Sequence, residues 1–130
     1  MEHSITTGYI TIGALDVAQV LPFDDAVRGV VGCKRGPLDG GWAFYGKDEA
    51  PGVGICNPHD GNPARGGNGI MIAFKADSQD QVKAAYAAAL AQGGADEGAP
   101  DFRPPESTSG FYGAYVRDAA GNKLCVYASD

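Results

Sequence analysis

Two stretches of sequence, 62 residues apart, decide the fold: Tyr9-Ile10-Thr11-Ile12 with Asp16-Val17-Ala18-Gln19, and Met71-Ile72-Ala73-Phe74 with Ser78-Gln79-Asp80-Gln81. Each opens with a short run typical of a β-strand. Each continues with a residue that caps helix N-termini and, three positions later, a glutamine, as in a capping box. Because a repeat constrains architecture more than local propensity does, the sequence predicts a strand followed by a helix, twice.

The two predicted helices each carry one apolar face and stop at a glycine, Gly32 in the first copy and Gly94 in the second. Apolar residues at three- and four-residue spacing are typical of a helix packed on a core. The faces comprise Val20, Phe23, Val27, Val30 and Val31 in the first helix, and Val82, Ala85, Tyr86, Ala89 and Leu90 in the second.

Short strands punctuated by glycine follow each predicted helix. Each half therefore predicts a strand, then a helix, and then two or three antiparallel strands. The predicted strands lie at residues 41–45 and 52–56 in the first half, and at about 95–103, 110–116 and 123–127 in the second.

The chain predicts a single domain spanning residues 1–130. We expect a first module at about residues 5–57, a linker loop at 57–68 and a second module at about 69–128. Since half of a chain this short buries too little surface to be stable alone, the two modules should fold as one unit.

Charge and composition exclude several functions. The chain has 10 Lys and Arg against 16 Asp and Glu, a formal net charge of −6. Without a basic cluster it cannot gain the counterion-release energy that drives nucleic-acid binding. It has neither a signal-peptide pattern nor an apolar run long enough to span a bilayer, so we expect a cytoplasmic protein with no membrane partner. Its three cysteines form no CxxC spacing, which predicts free thiols.

Three motifs carry a resemblance to a known family. They are Phe23-Asp24-Asp25-Ala26-Val27; Asp60-Gly61-Asn62-Pro63-Ala64 with Gly67-Asn68-Gly69; and Tyr112-Gly113-Ala114-Tyr115-Val116-Arg117-Asp118 with Gly121-Asn122-Lys123. Over essentially its whole length the chain resembles the vicinal oxygen chelate superfamily, which includes glyoxalase I, bleomycin-resistance proteins and extradiol dioxygenases. The resemblance implies an α+β fold in which two tandem βαβββ modules form a curled mixed-sheet cup with the helices outside.

The resemblance also implies positions for metal ligands on the inner face of the cup. They fall on Tyr9, Met71 and Cys125, with a fourth near Gly54. None of these is a usual ligand of a hard divalent ion, so we expect no metal, no cofactor and no metal-dependent glyoxalase or dioxygenase chemistry. Met71 and Cys125 are soft donors, which leaves a Cu(I) site as an alternative to apolar packing.

Strand alternation and the resemblance together predict the lining of the cup. Relatives of the extradiol type often place a substrate-binding tyrosine at the position of Tyr115, and the equivalent position in the first half is Phe44. Alternation adds Trp42 and Phe111 to the same faces. The predicted ligand-binding set is Tyr9, Trp42, Phe44, Met71, Phe111, Tyr115 and Cys125.

Three functions fit these residues. The first is a metal-free binding protein, similar to the bleomycin-resistance branch, that holds a small aromatic or cationic molecule in an apolar cup. The second is a metal-independent or atypical glyoxalase-like lyase or isomerase, or a dioxygenase-related enzyme. Its acid–base candidates are Tyr9, Tyr115, His59 or Cys125, and the sequence shows no partner for any of them. The third is a regulatory module whose cup is filled by its own side chains. Exposed sheet edges and the resemblance favour a homodimer.

Overall fold

The computed structural model describes residues 7–47 and 51–129, so the predicted start of the first module at residue 5 lies outside the described residues. The first module contains β1 (Tyr9–Gly13), α1 (Val17–Val30), β2 (Lys34–Arg35), β3 (Ala43–Gly46) and β4 (Gly52–Cys56). The second contains β5 (Met71–Lys75), α2 (Gln79–Ala91), β6 (Ala95–Phe102), β7 (Phe111–Arg117) and β8 (Lys123–Ser129).

Each module forms a four-stranded mixed sheet, which confirms the α+β prediction of two βαβββ units. The strand order is β1-β4-β3-β2 in the first sheet and β5-β8-β7-β6 in the second. In both sheets the first and last strands of the module pair in parallel, and the other pairs are antiparallel. The two-residue strand β2 was not predicted, because Lys34 and Arg35 are both exposed and too short a run to show alternation.

Both helices begin at the predicted caps. The Asp16 carboxylate accepts a hydrogen bond from the Gln19 backbone N–H at 3.2 Å, and the Ser78 hydroxyl accepts one from the Gln81 backbone N–H at 3.2 Å. The Gln81 side-chain oxygen accepts a hydrogen bond from the backbone N–H of Asp77, the residue before the Ser78 cap, at 2.7 Å. These bonds satisfy amides that have no partner within the helix.

The end of α2 differs from the prediction. The glycine in the left-handed conformation is Gly93, with φ 88°, whereas Gly94 was expected to end the helix. Gly94 is required by packing instead: a Cβ there would lie 2.7 Å from Cε2 of Phe23 and 2.8 Å from the carbonyl oxygen of Ala89. The first helix ends as predicted, with Gly32 at φ 84°.

Burial alternates along β1 and β5 as the strand prediction requires, whereas in β8 Leu124, Cys125 and Val126 are all buried. The helix-facing residues Ile12, Phe74, Leu124 and Val126 are buried, and Ile10 and Ile72 pack against the same core. The two helices contact each other, and a single hydrophobic cluster includes residues of both modules. None of the helices in the described ranges is long and apolar enough to cross a membrane.

The linker between β4 and β5 joins the modules by packing on a turn of the second one. The Gly66 backbone N–H donates to the carbonyl of Ala120 at 3.0 Å. In the same turn the side-chain amide of Asn122 donates to the carbonyl of Gly13 in the first module at 2.8 Å. The turn that carries part of the family resemblance therefore also connects the two halves.

Candidate functional site

Aromatic rings cover the solvent-facing side of the first sheet. Trp42 and Phe44 are stacked, with ring centroids 5.5 Å apart and planes at 17°. Tyr9 meets Phe44 edge to face at 5.8 Å. The side chains of Tyr9 and Phe44 are 60% and 40% exposed, so this cluster offers a wide aromatic surface to solvent.

A glycine beneath the rings allows this arrangement. Gly54 lies directly across from Phe44 in the β3–β4 register. A Cβ on Gly54 would lie 3.0 Å from Trp42 Cζ3 and 3.1 Å from Phe44 Cε1. The position that the resemblance assigned to the fourth-strand metal ligand therefore carries no side chain, and the Trp42 and Phe44 rings pack over it.

A pocket of about 380 Å³ lies next to Trp42. Thr11 and Cys56 line it from the same side of the sheet as Trp42, and His59 and Arg65 line it from the linker. His59 was considered from the sequence, but Arg65 was not, because nothing in the sequence shows how the linker folds back on the sheet. The pocket places polar groups beside the aromatic surface, as small-molecule sites require.

The second sheet repeats the pairing of rings with glycine. Phe111 and Tyr127 are stacked, with centroids 4.9 Å apart and planes at 14°. Gly113 pairs with Tyr127 across β7 and β8, and a Cβ on Gly113 would lie 2.7 Å from Phe111 Cε1. Aromatic residues opposite glycine in a sheet cover the exposed backbone.

Tyr115 is flanked by two cations. The guanidinium carbon of Arg103 and the ammonium nitrogen of Lys123 each lie 5.3 Å from its ring centroid. Gly98 pairs with Tyr115 across β6 and β7, and a Cβ there would be 2.9 Å from Cδ2 of that ring. Neither Arg103 nor Lys123 belongs to the predicted ligand-binding set, although Lys123 lies two residues from Cys125 on the same face.

Cys125 lies beneath this group and is only 1% exposed. Burial raises the pKa of its thiol and, similarly, the pKa of the Tyr115 hydroxyl. Burial also raises the pKa values of the Cys33 and Cys56 thiols. All three cysteines are free, and at neutral pH their protonated form dominates, so none has the thiolate character of a nucleophile.

The predicted site residues thus fall into separate groups. Tyr9, Trp42 and Phe44 form one, and Phe111, Tyr115 and Cys125 belong to the second sheet. Within residues 7–47 and 51–129, no ring contact joins the two groups. Met71 belongs to neither: it is 44% exposed on the edge strand β5, where it lines a different cavity between the modules.

The fold and this site can be compared with solved structures. A glyoxalase/bleomycin resistance protein from Albidiferax ferrireducens T118 is 34% identical to this chain, with a TM-score of 0.85, and the alignment covers 95% of this chain and 98% of that one. The chain belongs to the glyoxalase/bleomycin-resistance protein family. This confirms the resemblance inferred from the motifs.

More distant structures share the fold of this family member. A glyoxalase-related enzyme from Fulvimarina pelagi is 18% identical with a TM-score of 0.74, covering 95% of this chain and 88% of that one. A glyoxalase/bleomycin resistance protein/dioxygenase family enzyme from Burkholderia phytofirmans PsJN is 17% identical with a TM-score of 0.73, covering 95% and 98%. Sequence comparison with protein-family models and with curated proteins finds no match.

The implied metal positions of the glyoxalase fold do not fit a hard metal ion in this chain. Gly54 has no donor atom, and Cys125 is a buried, protonated thiol. In the part of the chain that the structure describes, no three His, Cys, Asp or Glu side chains lie close enough to hold an ion. For Cu(I), the register places Met71 opposite Lys123 rather than opposite Cys125, so an ammonium group lies beside the soft donors.

Proposed function

We propose that the protein binds a small planar aromatic molecule against the Trp42–Phe44–Tyr9 surface. The observation that carries this proposal is the stacked pair of half-buried Trp42 and exposed Phe44, which lies over Gly54 beside a pocket of about 380 Å³. A flat ligand stacks on such a pair and gains contact area without displacing a side chain. Thr11, His59 and Arg65 supply polar partners at its edge.

The charges near the rings favour a neutral or anionic aromatic ligand over a cationic one. The net charge of −6 attracts cations at long range, which supported the cationic alternative. At the pocket beside Trp42 the balance is reversed: Arg65 lines it, and no aspartate or glutamate is among the described residues of its lining. Short-range charges determine which ligand is held, because long-range attraction is screened by salt.

We propose further that the ligand-binding cup is completed by a second copy of the chain. Tyr9, Phe44, Ile70 and Met71 are large apolar residues between 40% and 66% exposed. An apolar set of this kind on one protein marks an interaction surface. A homodimer could place the aromatic surface of one protomer against the Tyr115 group of its partner.

Binding to the aromatic surface can be tested through Trp42, the only tryptophan in the chain. Its indole N–H gives a single NMR signal, which we expect 2-naphthoate and 2-naphthylmethanol to shift more strongly than 2-naphthylmethylammonium. Replacing Phe44 by leucine should weaken binding about 3- to 10-fold, since one stacked ring contact is lost. Leu90→Ala, at an exposed position of α2, is the matched control and should leave affinity unchanged.

An unmoved indole signal with all three naphthalene compounds would contradict the proposal. Preferred binding of the ammonium compound would contradict the assignment of charge while leaving the aromatic site in place.

The homodimer predicts a mass twice that of the 13.4 kDa chain in sedimentation equilibrium. Tyr9→Glu places a charge in the exposed apolar set and should shift the protein toward 13.4 kDa, whereas Leu90→Glu on the helix side should not. A wild-type protein that stays at the mass of one chain at high micromolar concentration would refute the dimer.

A lyase or isomerase remains the second candidate because His59 lines the pocket beside Trp42. Catalysis by an imidazole requires a partner that orients it. In the described residues no side chain is hydrogen-bonded to His59, and the thiols and the Tyr115 hydroxyl are held protonated. These observations favour binding over catalysis.

A further inference from the structure

A second cavity lies between the modules, on the opposite side of the first sheet from the aromatic surface. Its volume is about 430 Å³. Ile10, Tyr45 and Val53 line it, and these residues alternate with Tyr9, Phe44 and Gly54 along their strands. The facing wall is β5, from Met71 to Lys75. The cavity is therefore distinct from the proposed aromatic site and is bounded on one side by the edge strand β5.

Arg28 of α1 lines this cavity and is fully buried, with 0% exposure. Its Nε donates to Oδ1 of Asp24 at 2.9 Å. Its guanidinium carbon lies 4.6 Å from the ring centroid of Phe74 and 5.1 Å from that of Tyr45, and both rings also line the cavity. The ion pair and the two rings fix the plane of the guanidinium group.

Two donors of this guanidinium group lack a partner. Neither Nη1 nor Nη2 of Arg28 has a hydrogen-bond acceptor among the described residues. The nearby Tyr45 hydroxyl donates to Asp25 at 2.7 Å, so it does not serve them. Buried charged donors without acceptors are costly, and the large majority of buried polar groups in proteins are satisfied. The pair of adjacent N–H groups has the geometry that binds a carboxylate through two parallel hydrogen bonds.

The other charges at the cavity are positive as well. Lys47 and Lys75 line it, with the Lys47 ammonium donating to the Val31 carbonyl at 2.9 Å. No aspartate or glutamate is among the described residues of the lining, although acids outnumber bases 16 to 10 in the chain. The charged residues in the described part of the lining are thus all positive, with Asp24 outside the lining neutralising one of the three cations.

We propose that this cavity is a second ligand site that takes a small monocarboxylate with an aliphatic body, held by Nη1 and Nη2 of Arg28. The carboxylate replaces the missing acceptors after the side chains around Arg28 shift, because neither nitrogen is in contact with solvent in this structure. The aliphatic body packs among Ile10, Val53 and Ile72. A volume of about 430 Å³ is in the range of small-molecule sites. Apolar walls around one guanidinium group suit a singly charged amphiphile better than phosphate, which needs several donors on all sides.

Octanoate and octan-1-ol have equal chain length and differ in the charged end, so together they test the site. We expect octanoate to bind at least about tenfold more tightly, the worth of a hydrogen-bonded charge pair. In methyl NMR spectra the signals of Ile10, Val53 and Ile72 should shift while the Trp42 indole signal stays in place. Octylammonium should not bind.

Two variants locate the site. Asp24→Val with Arg28→Met removes both buried charges together and should reduce octanoate affinity at least about tenfold. Val53→Phe fills the cavity, leaves Arg28 in place and should also abolish binding, which keeps the test valid if the double variant does not fold. Arg65→Gln removes a cation at the aromatic pocket instead and should leave octanoate affinity unchanged.

The proposal is overturned if octan-1-ol binds as tightly as octanoate, if octanoate binds the folded double variant with wild-type affinity, or if millimolar octanoate shifts none of the three methyl signals. A shift of the Trp42 indole alone would place octanoate at the aromatic surface and also overturn it. Because the two sites have separate reporters, failure here is distinguishable from failure of the proposed aromatic site.

Discussion

Replacing Gly66 by alanine is expected to lower the free energy of unfolding by about 3 kcal/mol, the upper end for overpacking a tight contact. A Cβ at Gly66 would lie 2.0 Å from the carbonyl oxygen of Gly121 and 2.6 Å from its carbonyl carbon. Both are backbone atoms, so no side-chain rotation relieves the clash. The linker would have to leave the 118–122 turn, breaking the hydrogen bond from Gly66 to Ala120.

Chemical denaturation of the two proteins gives the measurement, and Gly29→Ala is the matched control. Gly29 lies in α1, is exposed, and has no atom within 4 Å of its would-be Cβ. The same substitution there should stabilise the protein by about 0.5–1 kcal/mol, because glycine is unfavourable in a helix interior. If Gly66→Ala unfolds within about 1 kcal/mol of wild type, the linker does not pack on the turn as described.

The elements could be predicted because local rules act within a few residues. Asp16 and Ser78 cap helices through bonds to amides three positions away, and the alternation of Ile10 and Ile12 with Tyr9 and Thr11 separates the two faces of β1. The capping residues and the strand alternation predict these elements in any fold that packs the helix on one face of the sheet. The internal repeat then supplied the second module from the first.

Contacts between modules could not be predicted in the same way. Whether Gly66 meets Gly121, or Arg65 reaches the pocket of Trp42, depends on the path of a linker that has no periodicity. One signal was available and was missed: Asp24 and Arg28 lie four residues apart beside the apolar positions Phe23 and Val27. An ion pair at that spacing on a core-facing stripe indicates a buried pair rather than a solvated one.

The pairing of aromatic residues with glycine links composition to function. The chain has 20 glycines, a residue that is typical of turns. Three of them lie instead within strands, opposite rings: Gly54 faces Phe44, Gly98 faces Tyr115 and Gly113 faces Tyr127. At each, the missing side chain lets a ring lie close to the sheet. The rings therefore form a shallow aromatic surface where the resemblance implies a metal site.

Arg28→Met is the second substitution with a large expected effect, a loss of about 3–5 kcal/mol in unfolding free energy at neutral pH. Methionine keeps the apolar stem between Tyr45 and Phe74 but removes the charge. The Asp24 carboxylate is then buried without a counter-ion, and its Oδ2 already has no hydrogen-bond partner among the described residues. Denaturation of both proteins at pH 7 measures the difference.

The pH dependence of this loss separates charge burial from packing. In the wild type burial raises the pKa of Asp24 while Arg28 opposes the rise, so removing Arg28 should raise this pKa further. A carboxyl whose folded pKa exceeds its unfolded value, about 3.9, contributes stability below that value and loses it as the pH rises through the folded pKa.

The deficit of Arg28→Met relative to wild type should therefore be small near pH 4 and grow toward pH 7. Asp24→Val with Arg28→Met lacks the titrating group, so its deficit should be smaller at pH 7 and should not grow between pH 4 and pH 7. A deficit in Arg28→Met that does not change with pH would mean that lost packing, and not the stranded Asp24 charge, causes it.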